Sequence, residues 1–274
     1  PVAVTSLSAA ALDQQGVTST SDLSQAVPGL VFTSQLSAAN AYIRGVGSQL
    51  FGPVSESPVA VYVDDVYIAN PQGSVFSLAG TKQIDVLNGP QGTLFGRNAT
   101  GGVIQIQTLD PTRDLTVDLA ATYGNYDFVG LSGYVSGGLS DNVSSSLAVL
   151  YEDQGKGYGR NLFNGEYVNQ QAKNNISLRN KWMIELPTNT LIRLSADYAR
   201  LGNNNAYQRP KGSVSPLPGA EPPIGYPGEY NANIGSPDFT RLKTGGVSMK
   251  VDQDIGSLVL TSITAYRKLR NRNS

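Results

Sequence analysis

The stretch 83–108, QIDVLNGPQGTLFGRNATGGVIQIQT, sets Gly89, Gly92, Gly96, Gly101 and Gly102 between two runs of alternating apolar residues, with Pro90 fixing the backbone beside the first glycine. Residues 84–87 read as one strand. Residues 103–108 read as a second, with Val103, Gln105 and Gln107 on one face and Ile104, Ile106 and Thr108 on the other. The linker is too glycine-rich for a stable helix and too regularly punctuated for a flexible spacer. It is expected to take φ > 0 at several points and to pass close to other backbone.

Such a loop invites a phosphate-cradle reading, which fails on its residues. The run 96–101 has the first spacing of a P-loop, but Gly102-Val103 stands where Lys-Ser/Thr is needed. Gly45-Val46-Gly47 lacks the third glycine of a dinucleotide fingerprint, and no helical pattern follows it.

The run from Gly89 to Gly102 resembles, nearly residue for residue, the plug-domain signature of TonB-dependent outer-membrane receptors. Three further segments are similar to that family in the same order. They are Ala26-Val27-Pro28-Gly29-Leu30, Tyr42-Ile43-Arg44-Gly45-Val46-Gly47, and the hairpin-like VAVYVDDVYI of 59–68. The resemblance covers about the first 110 residues.

Composition fits an exported, non-catalytic chain. Charged residues make up 15 % of the 274, against about 25 % in an ordinary soluble domain. A net charge of −1 gives no electrostatic reason for a nucleic-acid partner. Without Cys or His there is no thiolate chemistry, and the commonest general base and metal ligand is missing. Any metal would arrive inside a carrier molecule or be held by oxygen ligands. There is no apolar run of about 18 residues, hence no candidate transmembrane helix, but a barrel strand needs only about 9–11 alternating residues. The chain starts at Pro1 without a signal sequence and ends straight after a basic strand end, so it is expected to be a piece of a longer exported protein.

After Pro111 the pattern changes to long alternating segments: 115–123, 126–139, 143–153, 174–186, 191–201, 245–254 and 258–268. Ile176, Leu178, Trp182, Ile184 and Leu186 oppose Ser177, Arg179, Lys181 and Glu185. Ile192, Leu194, Ala196 and Tyr198 oppose Arg193, Ser195 and Asp197. Two folds fit this parity: a barrel with lipid outside and a wet lumen inside, or a soluble antiparallel sheet with one solvated face. The family resemblance favours the barrel. Tight turns at 140–142, 187–189 and 255–257 alternate with connections at 124–125, 156–173 and 202–244. Two of those are long, as extracellular loops are. The longest holds seven prolines together with Tyr207, Tyr226, Tyr230 and Phe239. It reads either as a surface loop without order or as an extracellular loop whose aromatics capture ligand. Tyr123, Tyr126, Phe128, Tyr134, Tyr151, Tyr158 and Trp182 are expected in interfacial belts. Seven strands are far fewer than the about 22 of a plugged transporter, so they do not close a barrel.

Asp64-Asp65 is the only adjacent carboxylate pair; it is expected to form a tight hairpin turn where the family usually has Asp-Gly. No nucleophile–base or paired-carboxylate constellation exists, so no enzyme is expected, and no cofactor. The sequons at 98–100, 142–144 and 175–177 are discounted.

The resemblance implies an α/β plug globule over 1–110, followed over 111–274 by the first antiparallel strands of an incomplete transmembrane β-barrel in the bacterial outer membrane. A short helix is expected over 21–27, capped by Thr20 or Ser21. The implied activity is ligand-gated import of a scarce nutrient, most commonly a ferric siderophore, with a saccharide or cobalamin as other cargoes; the alternatives are a passive porin-like channel and, although the seven alternating strands argue against it, a periplasmic binding or signalling module. The implied partners are outer-membrane lipid and a TonB-type inner-membrane complex acting through a coupling box that precedes Pro1. Apical loops fall at 33–40, 48–56 and 69–75. Gln35, Gln49, Phe51, Asn70, Gln72, Tyr226 and Tyr230 are the expected ligand contacts. Arg44, Gly45 and Arg97 are the expected contacts between plug and barrel.

Overall fold

The computed structural model describes residues 3–35, 38–48, 56–70, 78–204, 231–232 and 239–273. It contains two principal sheets. The first is built from β1 (Ala3–Ser8), β4 (Val59–Val63), β5 (Val66–Tyr67), β6 (Thr81–Asn88) and β7 (Gly102–Thr108), in the order β1-β6-β7-β4-β5. β4 and β7 are parallel; the other pairs are antiparallel. A separate hairpin pairs β2 (Leu30–Gln35) with β3 (Ala38–Ile43). Three short helices complete this unit: α1 (Ala9–Gln14), α2 (Leu23–Ala26) and α3 (Gly92–Phe95).

Both faces of this sheet are covered. Ile84, Val86, Ile104 and Ile106 pack on one side against Leu12 of α1, Leu23 of α2, and Val27 and Leu30. Val103 points the other way, with Ala60 and Ala99, beneath Tyr62, Tyr67 and Phe95. The alternation of β7 therefore serves two cores. Burying each Ile or Val contributes roughly 1.5–3 kcal/mol. The glycine run has the expected positive φ at Gly89, Gly96 and Gly102, and it contains no helix beyond the single turn α3. At Gly102 a Cβ would sit 2.5 Å from the Leu87 carbonyl oxygen and 2.7 Å from Ile43 Cδ1, so no larger residue fits.

The helix expected over 21–27 is present in part. A 3-10 turn, Thr20–Asp22, leads into α2, and the cap is Ser19 rather than Thr20 or Ser21. The Asp22 carboxylate reaches back to the Ser19 N–H at 2.8 Å and the Thr18 N–H at 3.1 Å, which fixes the start earlier than the pattern alone indicated. Helix α1, capped by Ser8 Oγ on the Ala11 N–H, is too short to show a periodic signal.

The second sheet is a meander of seven antiparallel strands: β8 (Thr116–Gly124), β9 (Phe128–Ser140), β10 (Val143–Gln154), β13 (Asn175–Leu186), β14 (Thr190–Asn203), β15 (Thr240–Ile255) and β16 (Leu258–Asn273). All seven expected segments form strands. The second begins at Phe128, because Tyr126 and Asp127 take φ of 61° and 54° in the preceding turn. A two-stranded ribbon, β11 (Gly159–Arg160) with β12 (Tyr167–Val168), stands in the 156–173 connection.

This sheet is inverted relative to a soluble one. Leu119 is 76 % exposed and Trp182 39 %, while the Lys181 side chain keeps only 6 %. Alternate residues of a strand face opposite sides, so the apolar face is outside and the charged face lies against the first sheet. That is the arrangement of a lipid-facing wall. Tyr134 corrects the belt expectation. It pairs with Ala148 on the inner face, is buried, and donates its hydroxyl to the Asp110 carbonyl at 3.4 Å. No helix among the described residues is long and apolar enough to cross a membrane, which says nothing about strands.

Candidate functional site

The two sheets meet through charge. The β4–β5 hairpin turns at Asp64-Asp65, with φ of 45° and 67°, as a type I′ turn requires of its two central residues. Aspartate tolerates this conformation better than most residues. The Asp64 carboxylate then closes back on β7, accepting from the Thr108 N–H at 2.8 Å and the Thr108 hydroxyl at 2.6 Å.

Against this corner β13 places Lys181. Its ammonium donates to Asp110 Oδ1 at 2.8 Å and to Thr108 Oγ1 at 3.0 Å, and lies 3.5 Å from Asp64 Oδ2. From β14, Arg193 reaches Asp110 with Nε at 3.4 Å and Asp252 of β15 with Nη1 at 2.5 Å. Lys250 of β15 pairs with Asp65 at 2.7 Å. Burial works against the charge on Asp110, but the Lys181 ammonium and the Arg193 guanidinium outweigh it and hold the carboxyl below the usual carboxylate range.

Two more rows extend the inner face. Arg267 of β16 forks onto Asp197 of β14 through two 2.8 Å bonds, passing over Gly246 of the intervening strand, where a Cβ would lie 3.0 Å from the arginine stem. Arg179 donates to the Ala79 carbonyl at 3.4 Å. Below, Thr112 N–H bonds to Ser136 Oγ at 2.7 Å and Arg113 pairs with Glu185 at 2.6 Å.

A cavity of about 260 Å³ remains between the sheets, lined by Asp65, Lys82, Asp110, Lys181, Lys250 and Ile263 among others. That is room for several waters at about 30 Å³ each. Ion pairs around a wet space can separate without exposing a dry apolar core. No cluster of metal-ligating side chains occurs among the described residues.

Residues 1–103 match the family model described as TonB-dependent Receptor Plug Domain. The first 103 residues are thus similar to the plug domain of TonB-dependent receptors. The chain is 30 % identical over 157 residues to the vitamin B12 transporter BtuB of Vibrio vulnificus, an alignment spanning 54 % of this chain and 24 % of that one. It is 28 % identical over 233 residues to the hemin receptor of Yersinia pestis, spanning 80 % and 32 %. Its fold superposes on the crystal structure of the ferric yersiniabactin uptake receptor FyuA from Yersinia pestis with a TM-score of 0.83 at 20 % identity, covering 99 % of this chain and 41 % of that one. The chain thus spans about a third or less of the curated relatives. Its fold is a plug-like unit followed by antiparallel strands, as in that structure.

Among the residues singled out in the sequence, Gln35 ends β2 opposite Ala38, and Asn70 follows β5. Gln49, Phe51, Gln72, Tyr226 and Tyr230 lie outside the described residues. Arg97 forms its ion pair with Glu56, inside the plug, at 2.6 Å. Arg44 is exposed, with φ of 51° and its N–H bonded to the Gly29 carbonyl at 2.7 Å; Gly45 beside it is exposed with open space above its Cα. None of these three forms an ion pair with the seven wall strands among the described residues. The observed ties instead use Asp64, Asp65 and Asp110 on the plug side and Lys181, Arg193 and Lys250 on the wall. The hairpin reading of Asp64-Asp65 was structurally correct but missed this role. The available signal was the second carboxylate, Asp65, which a tight turn does not need.

Proposed function

We propose that this chain is the plug, over about 1–110, and the first wall strands, over about 111–274, of a receptor that imports a scarce nutrient across the outer membrane with energy from a TonB-type inner-membrane complex. The observation that carries this reading is the ion-paired seam between plug and wall, with its polar-lined cavity. A part that must shift to let cargo pass and then reseat is better served by such a seam than by a fused apolar core. Transport, not catalysis, is the activity this arrangement supports.

A ferric siderophore is the proposed cargo. The relatives' names support a bulky metal complex: vitamin B12, hemin and ferric yersiniabactin are each a metal ion held in an organic cage. Gln35, Gln49, Phe51, Asn70, Gln72, Tyr226 and Tyr230 remain the proposed ligand contacts. Arg44, Gly45 and Arg97 remain proposed contacts between plug and barrel.

The test is uptake of a radiolabelled ferric siderophore panel by cells with and without the full-length receptor. Saturable uptake that stops when the proton gradient is collapsed is expected. Uptake that persists without the gradient would instead establish a passive channel. Uptake of cobalamin alone would replace the siderophore.

A further inference from the structure

The ends of β14, β15 and β16 nearest the long connection carry a charge pattern that the plug seam does not use. Register sets Arg200 opposite Lys243, Lys243 opposite Arg270, Arg241 opposite Arg272, and Lys268 opposite Gly245. Directly opposed residues point to the same side of a ladder, so these six cations share one face. That face is the outer one: the alternate residues Leu242 and Thr244 are buried, whereas Arg241, Lys243, Lys268, Arg270 and Arg272 are exposed. By register, no outward position on these three strands carries a carboxylate. Among the described residues none of the six forms an ion pair. The Phe239 ring lies 5.1 Å from the Arg241 guanidinium carbon and 5.9 Å from that of Arg272, a further attraction for cations but not a neutralising one.

Like charges directly opposed across a ladder destabilise it. Two cationic pairs and a third sharing Lys243 call for a counter-anion. Depth identifies its kind. On the same face Tyr198, Val247, Met249 and Tyr266 are exposed apolar residues of the lipid-facing belt. At about 3.4 Å per residue, Lys268 to Arg272 lie roughly 7–20 Å beyond Tyr266. They lie toward the end with the long connections, which in such barrels is the cell exterior. Cations immediately beyond an apolar belt match a phosphate headgroup whose chains lie along that belt. A soluble anion would use the cations and ignore the belt.

We propose that Arg200, Arg241, Lys243, Lys268, Arg270 and Arg272 form a binding site for the phosphate-bearing headgroup of an outer-leaflet lipid. Arginine forks suit phosphate oxygens in bidentate fashion.

The test uses the full-length receptor in mixed micelles, titrated with phosphatidic acid, phosphatidylcholine or inorganic phosphate and read by native mass spectrometry. Phosphatidic acid is expected to bind at least about tenfold more tightly than either competitor, and less tightly at high salt. K243Q/R270Q is expected to lose roughly 30-fold, about fivefold per cation, while the equal charge loss R113Q/K156Q changes affinity less than about twofold. Heat-modified gel mobility checks that each variant is folded. Equal binding of phosphatidylcholine, inorganic phosphate binding as tightly as phosphatidic acid, or an unchanged K243Q/R270Q would overturn the proposal. The wild-type comparison decides even if the variant does not fold.

Discussion

Lys181 is the residue on which plug seating turns. Its ammonium is nearly buried and serves Asp110, Thr108 and Asp64 together. Removing it leaves Asp64 and Asp110 short of a cation, but Asp110 is half exposed and keeps Arg193, so the full penalty of a buried pair does not apply. Lys181→Met in the full-length receptor is therefore expected to loosen the plug by about 1–2 kcal/mol. It should raise leak conductance in planar bilayers and protease cleavage of 56–70, and a wild-type leak would contradict this. The Lys250–Asp65 pair is far more open, at 31 % and 48 % side-chain exposure. Reversing both charges, D65K/K250D, is expected to restore what D65K alone loses, with a coupling under about 1 kcal/mol. Acid sensitivity follows from Asp110. Its carboxyl is held below the ordinary range, so its contribution to seating is complete above the unfolded value of about 3.9 and disappears only as pH falls through the lower folded value. The protection factor of the Thr108 amide, its exchange taken relative to the intrinsic rate at each pH, is expected to be flat from about pH 8 to 5 and to fall only in stronger acid; a fall near pH 6 would assign the seam to another group.

At the scale of elements, alternation decided most of what the sequence revealed. Ile176 to Leu186 and Ile192 to Tyr198 separate lipid-facing from lumen-facing residues by parity alone, because a barrel strand has one dry and one wet side. Energetics should follow that parity. Leu194→Arg on the outer face is expected to cost about 2–4 kcal/mol of barrel stability, and Ser195→Gln on the inner face under about 1, by urea unfolding in vesicles; equal costs would reverse the assigned faces. Boundaries were less legible. Tyr126 and Asp127 continue the alternating pattern but adopt left-handed backbone, which hydropathy does not encode. Tyr134 reads as a belt aromatic until register places it inward, opposite Ala148. The ties between plug and wall were illegible for a related reason. Asp64 and Lys181 acquire meaning only when a hairpin turn and a wall strand are brought together, and neither local pattern nor spacing reports that meeting. The glycine run, by contrast, announced its own positive φ values, since few other residues adopt them.

For the molecule as a whole, the seven-stranded sheet ends in two open edges, β8 and β16. Unpaired backbone is not tolerated in hydrocarbon. Residues 1–274 reconstituted alone are expected to give no stable single-channel conductance, and well-defined steps in a planar bilayer would refute this. The meander also dictates an order of events in time. Every wall strand pairs only with its neighbours in the chain, so hairpins can form one after another at small entropic expense. The seam with the plug spans sequence separations of 71 residues for Lys181–Asp110 and 185 for Lys250–Asp65. Contacts that distant form late. During assembly the wall hairpins are therefore expected to form before the plug docks on them, and pulse-labelled protease protection in which both appear together would contradict this.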